Sequence, residues 1–160
     1  MSSIRLDVAF CEYFIITGLW SIVLNDKAKQ IFSRQITLPE VGEKGQEELE
    51  DTGILIVGMG GLGCPVAQYL ISSGIGYLTM MDPDKVELSN ISRQPLYTEE
   101  NVGILKVDAA KDVLSLINPN AVINVVSDEL NKDNALTYVS SHDFVLSLIH
   151  ISEPTRQKPI

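Results

Sequence analysis

Apolar runs alternate with amphipathic segments along most of the chain. The runs that predict strands lie at 54–57, 77–81, 121–126 and 144–148. The first two are continuous apolar runs, which are typical of parallel strands covered on both faces. The segments that predict helices lie at 27–35, 45–50, 62–73, 106–117 and 134–139. This alternation predicts the N-terminal part of a doubly wound, mostly parallel, Rossmann-like α/β sheet with helices on both faces.

A glycine-rich turn, ILIVGMGGLGCP at 54–65, follows the first predicted strand. Gly58, Gly60 and Gly63 have the spacing G-x-G-x-x-G between a strand and a helix, where glycines permit a tight turn and close approach to phosphate. The helix N-terminus adds free N–H groups and a positive dipole end. Asp82 ends the second strand, where a carboxylate can accept hydrogen bonds from ribose hydroxyls. The pattern predicts a nucleotide site without identifying the nucleotide.

The loop after the second strand, DPDKVELSNISRQ, contributes Asn90, Arg93 and Gln94, and Lys106 begins the next helix. All four lie near the carboxyl ends of the strands, where such sheets bind ligands. Two cations and two amides suit a triphosphate that is attacked at its α-phosphorus. An NAD- or FAD-linked oxidoreductase is the alternative enzyme, and a nucleotide-binding or dimerisation module is the alternative without catalysis.

Composition and charge limit the classes of molecule that the protein is expected to bind. The 160 residues are 45% hydrophobic and 21% charged, which indicates a globular domain, and the net charge of −9 makes nucleic acid and anionic membranes poor partners. Cys11 and Cys64 form neither a disulfide framework nor a zinc site and fit a cytoplasmic location. We expect Cys64 to pack against the strand rather than react. Neither His142 nor His150 is assigned a catalytic role.

Four segments together resemble the ThiF/MoeB/HesA family, the bacterial relatives of ubiquitin-activating enzymes. They are SRQITLPEVGEKGQEEL, ILIVGMGGLGCPVAQYL, GIGYLTMMDPDKVELSNISRQ and GILKVDAAKDVLSLINPN. The resemblance implies ATP-dependent adenylation of the C-terminal glycine of a small ubiquitin-like sulfur-carrier protein, for thiamine or molybdenum cofactor biosynthesis. The carrier's carboxylate would attack the α-phosphorus and pyrophosphate would leave.

The resemblance also implies roles for individual residues. The implied nucleotide-binding residues are Gly58, Gly60, Gly61, Gly63, Asp82, Asn90, Arg93, Gln94 and Lys106. Among them Asp82 would take the ribose, while Asn90, Arg93 and Lys106 would hold the phosphates with Gln94 beside them. Arg34, in SRQI, would reach the ATP of the other subunit near its γ-phosphate. A homodimer with two composite sites follows, with Arg93, Lys106 and Arg34 as catalytic residues.

The sequence departs from the family after HDFVL at 142–146. An acidic turn resembling Asp-Cys-Thr-Asp-Asn, which helps hold Mg²⁺, is expected there, but the chain continues SLIHISEPTRQKPI. No metal ligand is therefore predicted, and the family's Cys-x-x-Cys zinc ligands belong to a C-terminal half that this chain does not reach. We expect that the chain as written does not catalyse.

Both ends of the chain carry separate expectations. LSLIHISEPTR resembles the translation of a transposase adapter used for sequencing libraries, so 146–160 is expected to be a non-native tail. The apolar stretch 8–24 carries Glu12 and is short for a membrane span, so no membrane anchor is expected. We assign 1–24 to an extension of doubtful authenticity, and 25–145 to an incomplete ATP-binding adenylyltransferase domain.

Overall fold

The computed structural model describes residues 24–149. A four-stranded sheet of order β3-β2-β1-β4 carries the fold. Its strands are β1 (Gly53–Val57), β2 (Tyr77–Met81), β3 (Val122–Val126) and β4 (Phe144–Ser147). All three neighbouring pairs are parallel, which confirms the predicted doubly wound sheet. The chain proceeds outward from β1 to β3 and then returns to the other side of β1. The strand order therefore reverses between β1 and β4, where sheets of this type bind ligands.

Six helices accompany the sheet in the described range. They are α1 (Asp26–Ile31), α2 (Ser33–Ile36), α3 (Gly42–Asp51), α4 (Gly63–Ser73), α5 (Lys106–Ile117) and α6 (Ala135–Ser140). Two 3₁₀ turns, Leu88–Asn90 and Glu99–Asn101, lie between β2 and α5. The single helix predicted at 27–35 was wrong, because the chain breaks at Phe32 into α1 and α2. The helix predicted at 45–50 begins earlier, at Gly42.

Both faces of the sheet are covered, which explains the continuous apolar runs. Alternate residues of β1 and β2, such as Ile56 and Met80, pack under α4 and α5 in the larger core. The intervening residues Leu55, Val57 and Met81 form a second core on the other face. Leu55 and Ile56 are both 0% exposed. Strand residues therefore need to be apolar on both faces.

The N-terminal helices pack against the C-terminal end of α4. Gly74 ends α4 with φ of 95°, and a Cβ there would overlap Phe32 and the amide of Gln46. The side-chain amides of Gln35 and Gln46 both donate to the Ser73 carbonyl, at 2.7 and 3.1 Å. This contact satisfies a helix-end carbonyl, and the Phe32 ring, at the break between α1 and α2, packs against Gly74. It also places α1 and α2 away from the glycine turn, which is at the other end of α4.

Two predictions about the ends of the chain lie mostly outside the described residues. The stretch 8–24 falls there except for Leu24, and the proposed tail 146–160 falls there beyond residue 149. Within 24–149, no helix has the length and apolarity that crossing a membrane requires.

Candidate functional site

The glycine turn joins β1 to α4 at the point where the strand order reverses. Gly58 has φ of 99°, a conformation that L side chains rarely adopt. A Cβ on Gly63 would overlap the carbonyl oxygen of Gly58, so the turn closes on itself too tightly for a side chain. The fold itself therefore requires glycine at both positions.

Gly60 and Gly61 are not required by the fold in this way. A Cβ on Gly60 would come no closer than 3.9 Å to another atom, and one on Gly61 no closer than 3.6 Å, which are ordinary contacts. Neither residue has positive φ, and their N–H groups find no hydrogen-bond partner in residues 24–149. Bare backbone with free donors beside a helix N-terminus suits an anion that lies against it.

Asp82 connects the glycine turn to the end of β2. Its Oδ2 accepts a hydrogen bond from the Met59 N–H at 2.6 Å, and its Oδ1 accepts one from the Asp84 N–H at 2.9 Å. The residue is only 6% exposed. Each carboxylate oxygen has a second lone pair, so Asp82 can still accept from the ribose hydroxyls that the sequence predicts.

The segment at Arg93 and Gln94 crosses over the glycine turn. The Arg93 carbonyl oxygen is the atom nearest to a Cβ on Gly61, and the Gln94 Nε2 is the atom nearest to one on Gly60. The Arg93 side chain is exposed, with Nη1 donating to the Ser89 carbonyl at 2.7 Å. The structure thus brings together two segments that the sequence separates by about 30 residues.

Gln94 has an unsatisfied acceptor at this position. The residue is 4% exposed, and its Oε1 is buried without a hydrogen-bond partner in the described chain. Leaving such an atom unpaired costs about 1–3 kcal/mol, so buried carboxamides usually have partners. The Nε2 of the same carboxamide lies beside Gly60, at 3.9 Å from where a Cβ would stand.

Asn90 has a local structural role that the sequence did not indicate. Its Oδ1 accepts from the Glu87 N–H at 3.1 Å, which caps the 3₁₀ turn Leu88–Asn90. Its Nδ2 has a single long contact, 3.4 Å to the Ser89 Oγ. The side chain is 6% exposed. Because Oδ1 is occupied by the cap, the Nδ2 group is the part left for the predicted phosphate contact.

Lys106 is a buried cation that pairs with Asp84, a residue without a predicted role. Its Nζ lies 2.7 Å from the Asp84 Oδ2, and the side chain is 9% exposed against 64% for Asp84. The Lys106 N–H also donates to the Asp84 carbonyl, at 2.9 Å. This second bond starts α5 beside the carboxyl end of β2, and it holds the ammonium group at the edge of the site.

The structure does not bring Arg34 to the glycine turn. It is exposed on α2 and forms no ion pair with any described residue. Because α2 packs near Gly74, about 16 Å of helix α4 lies between it and Gly63. Arg34 therefore lies near the opposite end of α4 from the glycine turn of its own chain.

Cys64 and Tyr97 are buried behind the glycine turn, at 0% and 2% exposure. The Tyr97 hydroxyl donates to the Met59 carbonyl at 2.9 Å, and the Cys64 Sγ lies 3.5 Å from the same oxygen. Burial raises the pKa of the Cys64 thiol, and a hydrogen bond with Tyr97 only partly opposes this rise. A protonated, buried thiol supports the expected packing role.

His142 lies on the opposite face of the sheet. Its Nε2 is 2.7 Å from the Thr79 Oγ1, and its Nδ1 is 2.7 Å from the Tyr138 carbonyl oxygen. Both ring nitrogens are thus engaged in holding α6 to β2. His150 lies outside the described residues.

The residues that follow β4 lie beside the glycine turn. The Leu148 N–H donates to the Val57 carbonyl at 2.8 Å, and the backbone nitrogen of Ile149 is 3.3 Å from where a Cβ on Gly58 would stand. This position, where the sequence lacks the expected acidic turn, is therefore apolar. Between residues 24 and 149, no group of three or more His, Cys, Asp or Glu residues could hold a metal ion.

Comparison with known proteins identifies relatives of this chain. Residues 32–150 match the ThiF family. The chain is 44% identical over 123 residues to the molybdopterin-synthase adenylyltransferase of Escherichia coli (strain K12), which covers 77% of this chain and 49% of that protein. It is 43% identical over 123 residues to the adenylyltransferase and sulfurtransferase MOCS3 of Culex quinquefasciatus, covering 77% of this chain and 28% of that protein.

A solved structure has a similar fold. The E. coli tRNA N6-threonylcarbamoyladenosine dehydratase, TcdA, in complex with ATP superposes with a TM-score of 0.74 at 33% identity. The match covers 80% of this chain and 52% of that one. The chain thus spans between about a quarter and a half of the length of these relatives. None of the three is named as an oxidoreductase, and the family match extends over most of the chain. The protein belongs to the ThiF family.

Proposed function

We propose that this chain is the nucleotide-binding part of an ATP-dependent adenylyltransferase that activates a carboxylate. The observation that carries the proposal is the free backbone at Gly60 and Gly61, which packing does not explain. Arg93, Gln94 and Lys106 lie around this backbone or at the edge of the site. Together they offer N–H donors and two cations to a chain of phosphates.

The residues present fit ATP. The Gln94 Nε2 group places a donor beside Gly60, and Asp82 retains lone pairs for the ribose hydroxyls. Bound ATP would supply an electrophilic α-phosphorus and pyrophosphate as the leaving group. Arg93 and Lys106 would stabilise the negative charge that develops on the phosphates when the carboxylate attacks.

Lys106 can exchange its partner for a phosphate. Its buried ammonium group needs a negative partner, and a phosphate would replace Asp84 in that role, while the Asp84 side chain is 64% exposed. Asp84 remains solvated when the ammonium group turns toward a phosphate. Asp84 would therefore hold Lys106 in place between nucleotide-binding events.

The proposed substrate is the C-terminal glycine of a ubiquitin-like sulfur-carrier protein. The name of the E. coli relative, a molybdopterin-synthase adenylyltransferase, supports the molybdopterin branch rather than the thiamine branch. The tRNA nucleoside named for the solved relative is a different substrate class, and the net charge of −9 disfavours a polyanionic partner.

The remaining parts of the proposal concern assembly and metal. We propose a cytoplasmic homodimer in which Arg34 of one chain serves the site of the other; its exposure and distance from its own site support this role. Mg²⁺ does not fit the described residues, because the segment after β4 presents Leu148 and Ile149 beside Gly58. A zinc site is proposed only for the C-terminal half of the family fold, outside the part that these residues form. We therefore propose ATP binding without adenylate formation by these 160 residues.

Two measurements on the 160-residue chain test this proposal. The first follows thermal unfolding, and ATP is expected to raise the midpoint while NAD leaves it unchanged. The second follows exchange of labelled pyrophosphate into ATP with a sulfur-carrier protein added, and no exchange is expected. Stabilisation by NAD instead of ATP would overturn the nucleotide assignment, whereas carrier-dependent exchange would overturn only the absence of catalysis.

A further inference from the structure

The Met59 residue at the centre of the glycine turn is held from both sides. Its N–H donates to Asp82, and its carbonyl oxygen accepts from the Tyr97 hydroxyl at 2.9 Å. The Cys64 thiol, at 3.5 Å, is a weaker second donor to the same oxygen. These partners are at least 94% buried, so water does not compete for the bonds.

The peptide group between Met59 and Gly60 transmits this restraint. A trans peptide is planar, and its C=O and N–H point in opposite directions. Tyr97 draws the Met59 carbonyl into the protein interior, so the N–H of Gly60 in the same peptide points away from it. That N–H has no partner among residues 24–149, and it belongs to the backbone that the proposed phosphates approach.

Tyr97 also belongs to the segment that carries the other phosphate contacts. Its N–H donates to the Gln94 carbonyl at 3.1 Å, and the neighbouring Leu96 is buried in the core. The hydroxyl therefore connects the Arg93–Gln94 segment to the glycine turn through one hydrogen bond. A shift of either segment would change the direction of the Gly60 N–H.

We propose that Tyr97 is a positioning residue for the nucleotide: its hydroxyl orients the Met59–Gly60 peptide so that the Gly60 N–H donates to a phosphate of ATP. The inference rests on the proposed ATP site. It assigns the residue no contact with the nucleotide itself. The function of the hydroxyl can therefore be separated from the packing of the ring, because Tyr97→Phe keeps the ring in the core and removes only the hydroxyl.

The test compares Tyr97→Phe with wild type and with Thr79→Val. Thr79→Val removes the 2.7 Å contact with His142 on the opposite face of the sheet, so it controls for the loss of a buried hydrogen bond. Calorimetry would measure the binding of ATP and of adenosine, which lacks phosphates. Tyr97→Phe is expected to weaken ATP binding roughly fivefold to tenfold and leave adenosine binding within twofold, whereas Thr79→Val changes neither.

A second readout does not need a nucleotide. Hydrogen exchange at the Met59 amide is expected to accelerate at least roughly fivefold in Tyr97→Phe and to stay unchanged in Thr79→Val. Equal weakening of ATP and adenosine, or unchanged ATP affinity, would overturn the positioning role. If wild type bound no ATP, the proposed function would fail, and the Met59 exchange rates would then decide alone whether Tyr97 holds the turn.

Discussion

Lys106 and Asp84 form a 2.7 Å ion pair at the carboxyl end of β2, in which the lysine is buried and the aspartate is mostly exposed. Lysines are almost never buried unless they are paired, and the Lys106 side chain is only 9% exposed. The pair keeps a cation at the edge of a site that contains free backbone donors. It therefore identifies Lys106 as the first residue to test.

Replacing Lys106 with methionine should weaken ATP binding about tenfold or more. The substitution keeps the apolar stem that packs in the protein and removes the charge, and hydrogen bonds to charged groups are worth about 1.5–3 kcal/mol. Lys111→Met on the exposed side of the same helix is the matched control. Calorimetric titration with ATP measures both, and similar affinities for the two variants would contradict the role of Lys106.

Alanine substitutions at Gly61 and Gly63 should affect different properties, ATP affinity and folding stability respectively. Gly63→Ala should lower the free energy of unfolding by about 1–3 kcal/mol or more, because its Cβ would overlap the Gly58 carbonyl oxygen. Gly61→Ala should fold normally, since its nearest contact is 3.6 Å, yet lose ATP affinity where the methyl group meets the phosphates. Denaturant unfolding and ATP titration separate the two effects. An unaltered ATP affinity in Gly61→Ala would argue against phosphate at this backbone.

The fold and the site could be predicted from the sequence to different depths. The apolar runs at 54–57 and 77–81 located β1 and β2 within one residue, because burial on both faces permits few polar residues. The break at Phe32 was not predictable, since it depends on packing against Gly74, 42 positions later. Long-range contacts of this kind leave no local pattern.

The same distinction applies to the site. The glycine spacing and Asp82 were predictable because the turn chemistry is local. The partnership of Asp84 with Lys106 was not, because the two residues are 22 positions apart. Nor was the function of Tyr97, which in the sequence is one aromatic residue among several. The position of Arg34 away from its own site also required the packing of α2.

Stability should fall at alkaline pH because of the buried thiol. Burial raises the pKa of Cys64 above its ordinary value of 9.0, so the unfolded chain loses this proton first as the pH rises. The contribution of the neutral Cys64 thiol to the free energy of unfolding is therefore complete below about pH 9. Above that pH it falls by up to about 1.4 kcal/mol per pH unit. Urea unfolding between pH 7 and 10 measures this fall, and Cys64→Ala should make it shallower. An identical slope in that variant would contradict the assignment to Cys64.

Arg34 should act on the site of the partner subunit. Arg34→Ala is expected to weaken ATP binding, and Lys27→Ala on the exposed side of α1 should not. If Arg34 acts across a dimer, a mixed dimer of one Arg34→Ala chain and one Lys106→Met chain contains one complete site and one that lacks both side chains. Because about half of the dimers in an equal mixture are mixed, roughly a quarter of all sites should bind ATP as in wild type. Failure of the mixture to recover binding, or a monomer in sedimentation, would contradict the composite site.

Calorimetric titration of the 160-residue chain with ATP, and separately with NAD, tests the ATP site most directly. We expect one ATP to bind per chain, with the affinity lost in Gly61→Ala and weakened in Lys106→Met, and we expect no heat of binding with NAD. Binding of NAD in place of ATP, or ATP binding that neither substitution changes, would contradict a nucleotide site built on the glycine turn and Lys106.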